Sequence, residues 1–346
     1  ILIHQPTGVG KTLTVGIVMM SNNVRLSLTD GVDRPLRVLF IAMRHRLLTQ
    51  AENEYNQQTG IVTINSQNLH ESSMCELSPS TKKQKNKHPV RVEIYYHSAF
   101  SDIPDDIFYD LVVIDEVHHE SCMSIQYKLT EMGNKPIIGL TATPDRPDGL
   151  LIKFNKIINP ITRHEAVEQG YLAPTSVYSF VDGTERNKGQ IVTDIIDYYG
   201  STMGQTMVFL RTRKEVEYVS TFIANKGYKV RGIINESSRE LNNILEQFSR
   251  KEIQFIVNCS KIDEGIDVKT CESVVIGKTL GSIVKLNQII GRASRPDSVC
   301  RVYEIINPLS RTNLDTTIVV GTPEEHKLIY KNMDDQWQEL DFDYSI

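Results

Sequence analysis

A glycine-rich run near the start of the chain has the composition of a phosphate-binding loop. It reads Gln5-Pro6-Thr7-Gly8-Val9-Gly10-Lys11-Thr12 and follows an apolar stretch that we expect to be a strand. Glycine lets backbone N–H groups turn toward phosphate oxygens without Cβ clashes. In such a loop Lys11 would reach the β- and γ-phosphates, and the Thr12 hydroxyl would ligate Mg²⁺. Gln5 stands where the general pattern has Gly or Ala, and a chance Gly-Lys-Thr turn is the competing interpretation.

Two adjacent acids about a hundred residues later supply the other groups that triphosphate hydrolysis needs. Asp115 and Glu116 follow the apolar run Leu111–Ile114, at the carboxyl edge where α/β sheets bind ligands. Asp115 would hold Mg²⁺ through water, and Glu116 would polarise the attacking water. Adjacent acids at a strand end are also common on surfaces, so the phosphate loop is what favours the chemical interpretation.

Apolar, β-rich runs alternate with helical patterns along most of the chain, which is typical of parallel βαβ architecture. Strands are expected at 1–4, 37–42, 90–96, 111–115 and 136–141, and again at 206–210, 229–234, 253–258, 273–277 and 301–306. Helices are expected at 11–20, 45–56, 214–226 and 239–250, and after the carboxylate pair. The pattern predicts an α/β fold with two tandem domains, each a mostly parallel sheet flanked by helices.

The chain has the length of two ordinary domains, at 346 residues. A helix is expected to stop at Gly170, and Pro174 forbids its continuation. We therefore predict a first domain over 1–170, a linker over 171–178, a second domain over 179–320 and an acidic tail over 321–346. Because only the first half contains a phosphate loop, two similar halves predict a nucleotide site at their interface.

Composition and charge exclude some classes and leave others open. The formal net charge is −5, and residues 334–346 contain five acids and no Lys or Arg. The rest of the chain is therefore neutral. Net charge thus neither supports nor excludes a polynucleotide partner. No apolar stretch reaches the roughly 18–20 residues of a membrane span, and no secretory leader is present. Five scattered cysteines favour reduced thiols in a cytosolic or nuclear compartment. The first residue, Ile1, indicates a fragment or a processed product.

Two further polar segments admit more than one interpretation. Residues 82–87 read Lys-Lys-Gln-Lys-Asn-Lys, which is typical of a solvated surface loop and, less often, of a loop that contacts a polynucleotide. Residues 118–122 read His-His-Glu-Ser-Cys and contain types of metal ligand. Consecutive histidines do not easily converge on one ion, so we expect no zinc site there.

Seven motifs occur in the order typical of superfamily 2 helicases, which the chain resembles over nearly its whole length. They lie at 6–12 (motif I), 41–50 (in the place of motif Ia), 115–118 (a DEVH form of motif II), 141–143 (motif III), 208–212 (motif IV), 258–267 (motif V) and 288–295 (motif VI, Q-x-x-G-R-x-x-R). Residues 44–48 depart from the Arg-Glu-Leu core common in motif Ia, so contacts to backbone phosphates there stay open.

The resemblance implies two RecA-like domains, ATP as the nucleotide and Mg²⁺ as its metal. Arg292 and Arg295 would project from the second domain toward the γ-phosphate held by the first, and Gln288 would contact the nucleotide or its water. Arginines in such positions accelerate hydrolysis about 10³–10⁵-fold, equivalent to about 4–7 kcal/mol. Gly265 and Asp267 would help link the nucleotide site to the second domain.

The resemblance also implies a path from the nucleotide to a polynucleotide, through His118, Thr141 and Thr143. The DEVH sequence, the short motif VI and residues 168–174 are most similar to the restriction-enzyme, excision-repair and phage UvsW group, which acts on DNA; a phage or viral origin is compatible with that group. An upstream glutamine element that reads adenine in many relatives would precede residue 1, so the base preference stays open.

We therefore expect an ATP-dependent DNA helicase or translocase. One alternative with the same chemistry is an RNA helicase or RNA-dependent ATPase. Another is a motor module that separates no strands itself and serves a nuclease or a larger assembly. The acidic tail, with Trp337, Phe342 and Tyr344, is a candidate site for a protein partner.

Overall fold

A computed structural model describes most of the chain. The residues described are 1–42, 45–57, 61–65, 90–97, 103, 107–117, 127, 129–133, 135–142, 154–181, 187–259, 270–280, 282–296, 299–306, 316–321, 323–331 and 336–341. The chain divides into two compact units. One contains Ile1–Gln5 and Gly10–Pro160, and the other contains Pro6–Val9 and Ile161–Ile346. The division therefore falls at 160/161, whereas the sequence places the end of the first domain at residue 170.

The first unit contains a seven-stranded sheet whose described pairs are all parallel. Its strands are β1 (Leu2–His4), β2 (Leu36–Ile41), β3 (Ile61–Asn65), β4 (Val92–His97), β5 (Leu111–Ile114), β6 (Ile137–Thr141) and β7 (Ile157–Ile158). They lie in the order β3-β4-β2-β5-β6-β1-β7. Strands β2 and β5 are buried almost throughout, as expected for central strands covered on both faces.

The first unit contains the helices α1 (Lys11–Met20), α2 (Asn22–Leu28) and α3 (His45–Asn56), and residues 127 and 129–131 are helical as well. Helix α1 is capped by Gly10, which adopts the left-handed conformation that glycine tolerates best. Its residues Val15 and Met19 are fully buried and pack in a core cluster with residues of the sheet. Burial of that face fixes the helix, and with it the loop that leads into it.

The second unit contains an eight-stranded sheet. Its strands are β8 (Thr175–Val181), β9 (Thr206–Phe209), β10 (Val230–Ile233), β11 (Phe255–Asn258), β12 (Ser273–Ile276), β13 (Cys300–Ile306), β14 (Glu325–Lys331) and β15 (Trp337–Asp341). Their order is β10-β11-β9-β12-β13-β8-β14-β15, and among the described pairs only β14–β15 is antiparallel. The α/β fold with mostly parallel sheets is confirmed.

Two parts of this sheet lie where the sequence predicts other features. Strand β8 takes up the second half of the expected linker 171–178, because a proline can directly precede a strand. Within the expected tail, β14 pairs in parallel with β8, and β15 pairs with β14. Trp337 of the expected tail packs edge-on against Phe180, with ring centroids 5.2 Å apart. Much of the segment 321–346 is therefore part of the second sheet.

The described helices of the second unit are α4 (Arg163–Glu168), α5 (Lys188–Tyr199), α6 (Arg213–Asn225), α7 (Ser238–Ser249), α8 (Ile283–Ile290) and α9 (Thr317–Val320). Reciprocal capping boxes fix the starts of α4, α6 and α7, through Thr162, Thr212 and Ser237. No helix among the described residues has the length and apolar character needed to cross a membrane.

Candidate nucleotide-binding site

The topology of the first sheet brings the predicted nucleotide residues to one edge. Strand β6 lies between β1 and β5, and all three run in parallel. The phosphate loop follows β1, Asp115 follows β5, and Thr141 ends β6 between them. The backbone N–H of Gln5 donates to the carbonyl of Thr141 at 3.1 Å, which ties the start of the loop to β6. Carboxyl edges of this kind are where open α/β sheets bind ligands.

The loop has the backbone conformation that its glycines allow. Gly8 and Gly10 have φ angles of 96° and 83°, in the left-handed region that L side chains rarely adopt. Helix α1 begins at Lys11, so its first N–H groups and the positive end of its dipole open toward the loop. The Lys11 ammonium donates to the carbonyl of Gln5 at 3.3 Å, close to the base of the loop. These features together form a site that favours a polyanion.

The two acids are adjacent in the chain, and the first of them, Asp115, is buried. Asp115 is 8% exposed, and its backbone N–H donates to the Ile41 carbonyl at 2.9 Å. Its Oδ1 accepts the N–H of Glu116 at 2.9 Å. Burial, followed by the neighbouring Glu116 carboxylate, raises the pKa of Asp115, while the Lys11 ammonium opposes this rise.

This donor set fits a divalent cation. Mg²⁺ prefers oxygen ligands, and Thr12 with Asp115 would supply a hydroxyl and a carboxylate. A desolvated carboxylate whose pKa is raised by a second carboxylate also gains most from a cation placed beside it. The residues present therefore suit the metal that the sequence predicts.

One residue of the site has no local signature in the sequence. Tyr55, near the end of α3, is fully buried and donates its hydroxyl to the carbonyl of Thr12 at 2.8 Å. The partners are far apart in the chain, so only the packing of α3 beside α1 brings them together. This bond anchors the first turn of α1, which carries two of the predicted nucleotide contacts.

The predicted arginines lie in the second unit, directly after α8. Gln288 lies on α8 and is 7% exposed, and its Oε1 has no hydrogen-bond partner among the described residues. Arg292 is 8% exposed and follows the turn at Gly291, where its N–H donates to the carbonyl of Ile289 at 3.1 Å. Arg295 lies three residues further on. The structure thus places the three predicted site residues of motif VI on the last turn of α8 and in the segment directly after it.

Four of the predicted site residues belong to parts of the chain that the structure does not describe. His118, Thr143, Gly265 and Asp267 lie outside the described residues, as do 82–87 and 118–122. Within the part of the chain that is described, no group of three or more His, Cys, Asp or Glu side chains could hold a metal ion.

Two family models match the chain. Residues 1–146 match the model described as "Type III restriction enzyme, res subunit", and residues 187–297 match the "Helicase conserved C-terminal domain". The chain belongs to the superfamily 2 helicases. In this superfamily 2 chain, the first match covers the phosphate loop and both acids, and the second covers Gln288, Arg292 and Arg295.

Known proteins similar to this superfamily 2 helicase include restriction enzymes. It is 24% identical to the "Type I restriction enzyme EcoAI endonuclease subunit" of Escherichia coli, over 86% of this chain and 42% of that protein. The structure of "ATP-dependent Type ISP restriction-modification enzyme LlaBIII bound to DNA" matches with a TM-score of 0.69 and 16% identity, covering 97% of this chain and 30% of that one.

A second solved structure that is similar to this chain is titled as bound to RNA. Dbp5 of Saccharomyces cerevisiae, "bound to RNA and ADP BeF3", matches with a TM-score of 0.59 and 14% identity, over 95% of this chain and 85% of that one. At these identities the structural matches show the fold, which is that of tandem RecA-like helicase domains. The superfamily 2 helicase spans less than half the length of the curated relatives it matches.

Proposed function

We propose that this chain is the ATP-hydrolysing motor of a DNA helicase or translocase. The observation that carries the proposal is one sheet edge at which a glycine-rich loop, a lysine and two adjacent carboxylates meet around the start of α1. This arrangement supplies phosphate binding, metal binding and a base on one rigid scaffold. Membership of the superfamily 2 helicases supports nucleic acid as the substrate on which the motor acts.

Each residue at this edge has a separate role. The N–H groups of residues 6–12 cradle the phosphates of ATP, and Lys11 binds the β- and γ-phosphates. Thr12 and Asp115 would hold Mg²⁺, which would neutralise charge on the phosphate oxygens. Glu116 accepts a hydrogen bond from the attacking water and orients it.

We assign the other catalytic role to the residues after α8. Arg292 and Arg295 stabilise the negative charge that develops on the phosphoryl oxygens, and Gln288 contacts the nucleotide or its water. Gln288 carries a buried amide oxygen without a partner among the described residues, so it is available to a ligand. Gly265 and Asp267 connect this region to the nucleotide. His118, Thr141 and Thr143 transmit the state of the nucleotide to the polynucleotide.

DNA is the proposed polynucleotide. The EcoAI relative is named as an endonuclease subunit of a restriction enzyme, and the LlaBIII structure is titled as bound to DNA. Dbp5 is titled as bound to RNA, and it matches this fold with a lower TM-score, 0.59 against 0.69. An RNA-dependent ATPase is therefore the second candidate.

The deciding experiment measures ATP hydrolysis with forked, duplex and single-stranded DNA and with RNA, at one stated salt concentration. We expect duplex or forked DNA to stimulate turnover most. Lys11→Ala should abolish turnover, whereas Lys156→Ala, which changes an exposed lysine of the same unit, should not. Stimulation by RNA alone would replace DNA with RNA as the substrate, and the absence of Lys11-dependent hydrolysis would refute the motor.

A third candidate is a motor that translocates without separating strands. It is favoured because the chain spans under half of its relatives, one of which is named as an endonuclease subunit. DNA-stimulated hydrolysis without release of the displaced strand would identify this activity. Phe342 and Tyr344, in the acidic end of the chain, remain proposed contacts for a protein partner of such a motor.

A further inference from the structure

Arg163 makes two hydrogen bonds that the nucleotide chemistry does not use. Its Nη2 donates to Oγ1 of Thr175 at 3.1 Å and to Oγ of Ser294 at 2.8 Å. Thr175 begins β8, and Ser294 lies between Arg292 and Arg295 in the chain. Helix α4, strand β8 and the segment after α8 all belong to the second unit. One guanidinium thus joins the start of β8 to the turn that carries both proposed catalytic arginines.

The backbone that carries Arg163 is fixed at both ends of α4. Before it, the hydroxyl and N–H of Thr162 donate to Oε2 of Glu165 at 2.8 and 2.7 Å, and Thr162 Oγ1 accepts the N–H of Glu165 at 3.2 Å. After it, the carbonyl of Ala166 accepts the N–H groups of Tyr171 and Leu172 at 2.8 and 3.0 Å. The helix is short, but these bonds leave Arg163 little freedom to move relative to β8.

Ser294 uses its whole hydrogen-bonding capacity in this cluster. Its hydroxyl donates to the carbonyl of Ile290 at 3.0 Å and accepts from Arg163. Its second lone pair faces Sγ of Cys300 at 3.3 Å. Burial raises the pKa of Cys300, so this cysteine is a thiol at neutral pH and can donate to Ser294. Loss of any one partner would leave a fully buried hydroxyl incompletely satisfied.

A neutral donor could form the same two hydrogen bonds, so they do not by themselves require the positive charge of Arg163. Among the described residues, no carboxylate lies within ion-pair distance of its guanidinium, which bonds two neutral hydroxyls instead. Partial burial of an unneutralised cation is costly, and an amide side chain could donate to the same oxygens. Charge-assisted bonds are, however, stronger and more rigid than neutral ones. The arrangement therefore holds Ser294 rigidly, at a cost in the free energy of folding.

We propose that Arg163 is a positioning residue that holds the segment 291–295 in the conformation required by Arg292 and Arg295. This inference rests on the proposed function, because it gives Arg163 a role only through those two arginines. Ser294 is the connection, since its N–H and its hydroxyl both donate to Ile290, at 3.2 and 3.0 Å. A shift of Ser294 moves the residues on either side of it.

The test is steady-state ATPase kinetics of the full chain with Arg163→Ala, Arg163→Lys and Ser294→Ala. We expect Arg163→Ala and Ser294→Ala to lower kcat by about 10- to 100-fold, as small misplacements of catalytic groups do. The KM for ATP should change by less than about threefold, because the phosphate loop is untouched. Arg163→Lys should recover most of the activity. His164→Ala, which changes an exposed neighbour on α4, is the matched control and should behave as wild type.

A double variant separates positioning from a general loss of stability. If Arg163 acts through the arginine segment, adding Arg163→Ala to Arg295→Ala should lower kcat by no more than about twofold further. A fall by the full product of the two single effects would overturn the inference. If Arg163→Ala does not fold, Ser294→Ala combined with Arg295→Ala carries the same test.

The outcomes distinguish this inference from the function on which it rests. A normal kcat in Arg163→Ala and Ser294→Ala, with a reduced kcat in Arg295→Ala, refutes positioning and leaves the motor intact. A normal kcat in both Arg292→Ala and Arg295→Ala refutes the catalytic role of the arginines themselves.

Discussion

Glu116 holds a backbone conformation that few residues other than glycine adopt. Its φ angle is 49°, directly after β5, and its N–H donates to the side chain of Asp115. A non-glycine residue in this region stores roughly 1–2 kcal/mol of strain. Backbone strain of this kind is common at active sites, because the surrounding structure holds the residue in a conformation that is unfavourable for the residue by itself.

The role of Glu116 is testable with a substitution that preserves its shape. Glu116→Gln should bind ATP normally, because the phosphate loop is unchanged, but hydrolyse it about 10²- to 10⁴-fold more slowly without a carboxylate near the water. Binding of a fluorescent ATP analogue and phosphate release would measure the two effects separately. Glu324→Gln is the control at an acid outside this site. Near-normal hydrolysis by Glu116→Gln would remove the residue from its assigned role.

The glycine requirement of the loop predicts a pair of matched effects. Gly10 and Gly170 both have left-handed φ angles, 83° and 74°. A Cβ at position 10 would meet only Leu13 Cβ, at an ordinary contact distance of 3.8 Å, and a Cβ at position 170 would meet nothing within 4 Å. Alanine at either position should therefore lower the free energy of unfolding by roughly 1–2 kcal/mol through backbone strain alone. Only Gly10→Ala should also weaken ATP binding, as measured by titration calorimetry. Equal ATP affinity in the two variants would contradict the loop's proposed role.

At the scale of single residues, the sequence predicts most of the candidate nucleotide site. It does not predict the residues that hold the site in place. Lys11, Asp115 and Glu116 are recognisable because their spacing from apolar strands is local information. Tyr55 and Arg163 are not recognisable, because each acts through a hydrogen bond to a residue distant in the chain. Such bonds depend on the packing of helices, which no short sequence pattern encodes.

At the scale of elements, the β14–β15 pair is attached to the second sheet by a small polar network. The Tyr178 hydroxyl donates to Glu325 at 2.6 Å, and Tyr199 donates to Glu339. Lys327 lies 3.2 Å from Glu325 and 3.1 Å from Glu339. The hydrogen bond from Tyr178 lowers the pKa of Glu325. Burial would raise the pKa of Glu339, yet its bonds to Tyr199 and Lys327 bring it below the usual value.

These shifts predict how stability depends on pH. Because the folded-state pKa of Glu325 lies below its ordinary value of 4.5, its contribution is complete above that pH. The contribution is lost as the pH falls through the lowered pKa. Thermal unfolding followed from neutral to acidic pH should therefore show less acid destabilisation in Glu325→Gln than in wild type. Glu324→Gln should keep the wild-type dependence, and identical profiles for wild type and Glu325→Gln would contradict this.

The predicted elements are accurate where periodicity is strong. Helices over 11–20 and 45–56 are confirmed to the residue, since long apolar stripes define them. Helix α2 is absent from the sequence prediction because it is short, and a tertiary bond from Arg25 to the carbonyl of Arg34, at 2.8 Å, holds it. Strand β14 reads Glu-His-Lys-Leu-Ile-Tyr-Lys. Its charged residues hide the strand pattern, because partners such as Glu339 for Lys327 and Asp194 for Lys331 lie on other elements of the second unit.

At the scale of the whole molecule, each unit has apolar clusters on both faces of its own sheet. Residues of the first sheet divide between two clusters, with Phe40 in one and Leu39 in the other. The second sheet divides in the same way, with Phe209 and Val208 in different clusters. A unit with its own complete core is expected to fold without the rest of the chain.

This organisation predicts that a fragment of residues 161–346 folds independently. It should unfold in one cooperative step in urea, with coincident transitions by circular dichroism and by tryptophan fluorescence from Trp337. It should not hydrolyse ATP, because Lys11, Asp115 and Glu116 are absent. A gradual transition, or two transitions that do not coincide, would show that the second unit depends on the first.

Strand β14 also shields the sheet to which it is attached. The neighbouring strand β8 spans seven residues, Thr-Ser-Val-Tyr-Ser-Phe-Val, without a single charge. Strand β14 pairs with the backbone groups on one side of β8, and the edge strand of the sheet is β15, which carries Glu339 and Asp341. Proteolytic removal of the residues after 321 would make β8 an exposed edge strand. An uncharged edge strand with high β-propensity is a common template for self-association. We therefore expect β14 and β15 to protect the second sheet against self-association.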